Sequence, residues 1–169
     1  MAFALRNVEI VTPFRIIPNG SIVIEGKKIV AIGKTSELDI PVGIKKYDLD
    51  RMVLTPGYID LLVHGGGGYG FADMSMEAVE HISEHFFQHG TTGLLASLYS
   101  KPEGDMVADV GRIAEFCSTS RDSNVWGMHL EGPFINKKWH GAMLVDYLWQ
   151  PSVEGWSKLF AAGHGYFSS

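Results

Sequence analysis

The feature that most constrains this chain is a change of hydrophobic period near Met52. Before it, apolar and polar residues alternate in short runs: Phe3 to Val11, Ser21 to Glu25 and Lys28 to Ile32, the last two joined by a tight turn at Gly26. A two-residue period bounded by turn residues reads as strands, so residues 1–54 are expected to form a small β module. After Met52, short apolar runs alternate with stretches whose apolar residues recur every three or four positions. That alternation is the signature of βαβ units on a parallel sheet, so residues 55–169 are expected to be α/β.

The units follow one another along the chain. A first strand is expected from Val53 to Val63, interrupted by Thr55-Pro56-Gly57, and it runs into His64-Gly65-Gly66-Gly67-Gly68. A helix from about Ser75 carries Met76, Val79, Ile82 and Phe86 on one stripe, with Gly90 as its stop. Thr91 to Leu98 is the second strand. Ser100-Lys101-Pro102-Glu103 has the spacing of a capping box, and Met106, Val110, Ile113 and Phe116 form the next stripe. Val125 to Leu130 is the third strand. A long loop containing Glu131-Gly132-Pro133 leads to a last helix from about Ser152 to Ala162, with Val153, Trp156 and Phe160 on its apolar face. Three such units do not close a barrel, so the third strand is expected to be an unpaired edge and the chain to be the first part of a longer protein.

Composition narrows the function. With 46% hydrophobic and 20% charged residues, the 169-residue chain can bury a core. A net charge of -5 without a block of like charges argues against nucleic-acid binding or a polybasic membrane patch. No secretory leader or membrane span is legible, and a single cysteine, Cys117, excludes a disulfide framework within the chain. A cytoplasmic setting is expected.

In a parallel α/β barrel the reactive groups sit where strands end and loops begin. The third strand ends in Met128-His129-Leu130-Glu131-Gly132-Pro133-Phe134, which places a carboxylate at the rim before an abrupt reversal. Such a group loses solvation unless it meets a metal, a cation or hydrogen-bond donors, so Glu131 is the first candidate; its plainer reading is a solvated loop glutamate. His64 ends the first strand and is the second candidate, as a metal ligand or a hydrogen-bond partner of substrate; its plainer reading is a histidine packed among glycines. Asp60 lies deeper in that strand, where it could orient its neighbours.

Pro56-Gly57-Tyr58-Ile59-Asp60 followed by His64-Gly65, then Gly90-Thr91-Thr92, then His129-Leu130-Glu131-Gly132-Pro133-Phe134-Ile135-Asn136 together resemble N-acetylglucosamine-6-phosphate deacetylases of the amidohydrolase superfamily. The last motif is the specific one; the first would suggest only the wider superfamily. The resemblance runs along nearly the whole chain, in order, and covers the first half of such an enzyme. It implies a β-sandwich module over residues 1–54, followed by the first three βα units of a TIM-like (β/α) barrel.

The resemblance also implies one divalent metal ion, expected to be zinc, held by Glu131 and two histidines that lie beyond this chain, with His64 as a further candidate ligand. The metal would act as a Lewis acid on the acetamide carbonyl. A general acid/base, an aspartate on a late strand, would also lie beyond it, so no catalytic acid/base is expected here. The segment His140-Gly141-Ala142-Met143 resembles the part that contacts the sugar, which makes Ala142 and Met143 the substrate-side candidates. Partners implied are a small amino-sugar phosphate and a second copy of the chain or the missing C-terminal half.

Two departures modify this picture. Many superfamily members end the first strand in His-x-His, whereas here Leu62 precedes His64, so a mononuclear site is expected. Many family members have histidine where Met143 stands, and a thioether donates no hydrogen bond. Elsewhere, His81, His85 and His89 follow a helical spacing but are expected on a solvated flank. Cys117, beside Phe116, is expected to be a packed thiol. Other amidohydrolase activities, or a non-catalytic assembly module, are the competing readings, and the isolated chain is expected to be inactive.

Overall fold

A computed structural model describes residues 1–73 and 75–167. The chain divides into two compact units, one from Met1 to Pro56 and one from Gly57 onward.

The first unit is a single five-stranded mixed sheet rather than, within these residues, two facing sheets. Strands β1 (Ala2–Val11), β2 (Ile16–Glu25) and β3 (Lys28–Lys34) run antiparallel, while β4 (Lys45–Asp48) and β5 (Val53–Leu54) pair parallel to β1. Gly26, at φ +61°, makes the turn between β2 and β3, a conformation that costs a residue without Cβ nothing. Val8, Ile10, Ile17 and Ile22 form the unit's core. Arg6 and Asn7 both bind Asp48 Oδ1, which fastens β4 to β1. Val53 and Leu54 were expected to begin the first barrel strand; their pairing with Glu9 and Ile10 places them in this sheet instead. Proline cannot donate to a ladder, so Pro56 separates the two assignments.

The second unit is built on three parallel strands in the order β10-β9-β6, namely β6 (Tyr58–Val63), β9 (Thr91–Tyr99) and β10 (Val125–Glu131). Between β6 and the first helix, the four-glycine run folds as a minimal hairpin, β7 (Gly65–Gly66) with β8 (Tyr69–Gly70). Helix α1 (Met76–Gln88) starts where Ser75 Oγ accepts from Ala78 N–H. Helix α2 (Glu103–Thr119) follows β9, and α3 (Val153–Gly163), capped by Ser152 on Gly155 N–H, follows β10. Strand β9, central and flanked on both edges, is almost continuously buried, as a parallel strand covered on both faces must be. Its Leu94, Ala96 and Leu98 pack against Val79 and Ile82 of α1 and Met106, Val110 and Ile113 of α2.

Three local expectations are corrected. Ser100 caps nothing: α2 begins after Pro102 with no side-chain cap, and the Ser100 hydroxyl turns to Met143 Sδ at 3.3 Å. Pro102 stands at the N-cap with ψ 145°, and the acidic Glu103 and Asp105 of the first turn suit the helix's N-terminus without a serine cap. The buried face of α3 is not Val153, Trp156 and Phe160, which are exposed, but Gly155, Leu159 and Gly163. Gly163 lies so close to the Phe167 ring that a Cβ there would sit 2.2 Å from it, and Trp156 and Phe160, though exposed, flank the same ring at 5.9 and 6.3 Å between centroids. Finally, the outer edge of β10 is not wholly unpaired. Met128 forms a parallel bridge to Phe167, and its N–H donates to Tyr166 O at 2.8 Å.

Candidate active site

Because β6, β9 and β10 are parallel, their C-terminal ends lie at one edge of the sheet. His64 follows the last residue of β6, Tyr99 ends β9 and Glu131 ends β10. The structure brings the two strand-end candidates into direct contact: His64 Nε2 is 2.8 Å from Glu131 Oε2, with both side chains about 40% exposed (39% and 42%). His64 Nδ1 donates to the backbone oxygen of Ser97 at 3.1 Å. A carbonyl only accepts, so Nδ1 is the donor to Ser97 O, and the other ring nitrogen, Nε2, is the one that meets the carboxylate.

The loop after β10 walls the space beside this pair. Gly132 takes φ +115°, the Gly132–Pro133 bond is cis, and a short 3-10 turn at Lys137–Trp139 is capped by Asn136, whose Oδ1 accepts from Lys138 N–H. His140 Nδ1 donates to Met143 O at 2.6 Å, and the Ser100 contact holds the Met143 side chain. At the far end of the loop, the Trp149 indole donates to Lys101 O at 2.9 Å, tying the loop to the start of α2. The open cavity beside the pair, about 510 Å³, has His64, Glu131, Ala142 and Met143 in its wall. All four residues singled out from the sequence therefore face one space.

Other candidates lie elsewhere. Asp60 Oδ1 accepts from Leu62 N–H at 3.1 Å, so it shapes its own strand and does not line the cavity. His81 packs on Tyr69 (4.6 Å between ring centroids) and His85 on His89 (4.6 Å), on a flank of α1 away from the cavity. Among the described residues no three His, Cys, Asp or Glu side chains are placed to hold a metal. Burial pushes the Cys117 thiol up to about 11, as befits a packed residue rather than a nucleophile.

Sequence reasoning missed Tyr99, Ser100, Trp139 and Tyr147, which also line the cavity. Tyr99 was legible in principle, one residue past the expected strand end. Trp139 and Tyr147 each end a three-residue 3-10 turn, too short to carry a period.

Two donors of the kind zinc binds, an imidazole nitrogen and a carboxylate oxygen, thus stand together at the rim, two of the three that a hydrolytic site ordinarily needs. An α/β unit with polar groups gathered at parallel strand ends has the layout of a βα-type enzyme. Comparison with known proteins makes this more specific. The N-acetylglucosamine-6-phosphate deacetylase of Haemophilus influenzae is 30% identical over 149 residues, covering 88% of this chain and 38% of the relative. The solved structure of N-acetylglucosamine-6-phosphate deacetylase from Pasteurella multocida superposes with a TM-score of 0.85 at 28% identity, over 96% of this chain and 42% of the other. That of the Mycobacterium smegmatis enzyme, in complex with N-acetyl-D-glucosamine-6-phosphate, gives 0.82 at 25% identity, over 98% and 41%. No protein-family model matches the chain. The chain is a homologue of N-acetylglucosamine-6-phosphate deacetylases, over a length consistent with an N-terminal portion of such an enzyme. It spans about two fifths of the length of these relatives. No helix among the described residues is long and apolar enough to cross a membrane.

Proposed function

We propose that this chain is the N-terminal part of a deacetylase that hydrolyses the N-acetyl group of N-acetylglucosamine 6-phosphate, releasing acetate and glucosamine 6-phosphate in amino-sugar breakdown. The supporting observation is the meeting of His64 and Glu131 in the wall of the same cavity as Ala142 and Met143, in a chain whose relatives carry that activity. In this reading residues 57–167 supply the first three βα units of a TIM-like barrel, the remaining strands coming from further sequence. The setting is cytoplasmic, and the active assembly contains the C-terminal half or further copies of the chain.

Glu131 and His64 would hold one divalent ion, zinc in view of their nitrogen and oxygen donors, and when bound it supplies Lewis acidity toward the amide carbonyl. The chain's own part is to position. The Ser97 carbonyl holds Nδ1 of His64, which leaves Nε2 as the nitrogen that would face the ion. Ala142 and Met143 would bound the sugar side, with Ile135 and Leu144 adding apolar wall.

The test is acetate release by the full-length protein from N-acetylglucosamine 6-phosphate, its galactosamine analogue and the unphosphorylated sugar, before and after chelation. Turnover of the phosphorylated glucosamine substrate, lost on chelation and restored by zinc, is expected. Absence of turnover with the phosphorylated substrates, or activity indifferent to chelation, would overturn the reading.

A further inference from the structure

We infer that Ser97 is the positioning residue of this site, clamping a bulge in β6 and so aiming His64 at Glu131. The register carries the argument. Asp60 stands opposite Leu94 and Val63 opposite Ala96, so three steps along β6 match only two along β9. One extra residue in a strand reverses the alternation of side chains beyond it, which is how bulges beside active sites re-aim a group. His64 is the residue just past this one.

A bulge releases backbone groups from the ladder, and here side chains take them up. Asp60 Oδ1 accepts from Leu62 N–H at 3.1 Å, and Ser97 Oγ accepts from Val63 N–H at 3.0 Å. Ser97 is 1% exposed, so no solvent replaces its oxygen. The same residue holds the ring itself, through its carbonyl and His64 Nδ1 at 3.1 Å. Its hydroxyl also lies 3.4 Å from His129 Nδ1 on β10, the strand that carries Glu131. One buried serine thus touches the peptide before His64, the His64 ring and the strand of its partner. Removing the hydroxyl leaves Val63 N–H buried without an acceptor, so the bulge must relax and the ring must turn.

This role rests on the reading of His64 and Glu131 as the reacting site, but the orientation it describes can be read without activity. The experiment uses the full-length protein, stripped of metal and labelled with 15N-histidine, with the His64 signals assigned by their loss in His64→Asn. In the unaltered protein the His64 signals report the ring held between Ser97 O and Glu131. In Ser97→Ala they should shift away from that position, and kcat of the zinc-loaded enzyme should fall roughly 10- to 100-fold with little change in KM. Ser97→Thr, which keeps the hydroxyl, should restore both. A folded Ser97→Ala protein with the His64 signal and kcat unchanged would overturn the inference. If Ser97→Ala does not fold, Ser97→Cys, whose sulfur is a weak acceptor for Val63 N–H, is read in the same way, and an unshifted His64 signal there overturns the inference equally. An enzyme without deacetylase activity would end the functional reading while the His64 spectrum still decides the role of Ser97.

Discussion

Glu131 Oε2 lies 2.8 Å from His64 Nε2, a contact that spans the central strand β9 and joins the ends of the two strands on either side of it. The two residues are 67 positions apart in sequence, and they meet only because β6 and β10 flank β9. The site is therefore a property of the sheet, and its predictions concern groups that the sheet alone brings together.

Replacing Glu131 by Gln keeps the shape and removes the charge. In the full-length protein, metal content and turnover are both expected to fall, turnover on the order of 100-fold or more, because a neutral amide is a poor ligand for a hard or borderline cation. Elemental analysis of the unaltered protein should give one metal per subunit, since Leu62 offers no donor atom where a second site would need one. Unaltered occupancy and rate in Glu131→Gln would remove this carboxylate from the metal site.

Met143 is predicted to act on substrate affinity more than on chemistry. Its thioether is held by Ser100 and its carbonyl by His140, so truncation to Ala empties a defined part of the wall without touching the strand-end pair. Steady-state kinetics of Met143→Ala should show KM raised about 3- to 10-fold with a smaller change in kcat. A selective loss of kcat would place this side chain nearer the reacting bond than proposed here.

Gly132→Ala should destabilise the protein. The backbone there is at φ +115°, and a Cβ would lie 2.3 Å from Ser100 Oγ. The conformation alone costs an alanine about 1–3 kcal/mol, and the collision adds to it. Denaturant unfolding should show a midpoint shift of that size, partly recovered in the double variant with Ser100→Gly. An unshifted midpoint would mean that the loop turns by another path.

Cys117 is predicted to be unreactive at neutral pH. Burial raises its thiol from the ordinary 9.0 to about 11, outweighing the backbone hydrogen bond that lowers it. Peptide-level mass spectrometry after iodoacetamide at pH 8 should show labelling roughly 100-fold slower than in the unfolded chain. The sign of the linkage follows from the direction of the shift. The folded state favours the neutral thiol, so its contribution to stability is complete below pH 9.0 and is lost as pH rises from 9.0 toward about 11. Equal labelling of folded and unfolded protein would show the thiol to be accessible.

What the sequence by itself determined was whatever local periodicity and capping chemistry specify. The change of period fixed where β hairpins give way to βα units. Ser75 and Ser152 announced their helices, and Val79, Ile82, Val110 and Ile113 named the faces of α1 and α2 that meet the sheet. The strand-end rule singled out His64 and Glu131, because a parallel sheet gathers such ends at one edge whatever the loops do. The tertiary structure decided everything that depends on a distant partner. Val53 and Leu54 joined the first sheet because β1 offered them an edge. Trp156 and Phe160 of α3 stayed partly exposed around the ring of Phe167, which returns so close to Gly163 that only a glycine fits beneath it. Ser97 and the bulge beside it were illegible for the same reason: an extra residue in a strand is defined only against its neighbour, and β6 acquires that neighbour only once β9 lies alongside it.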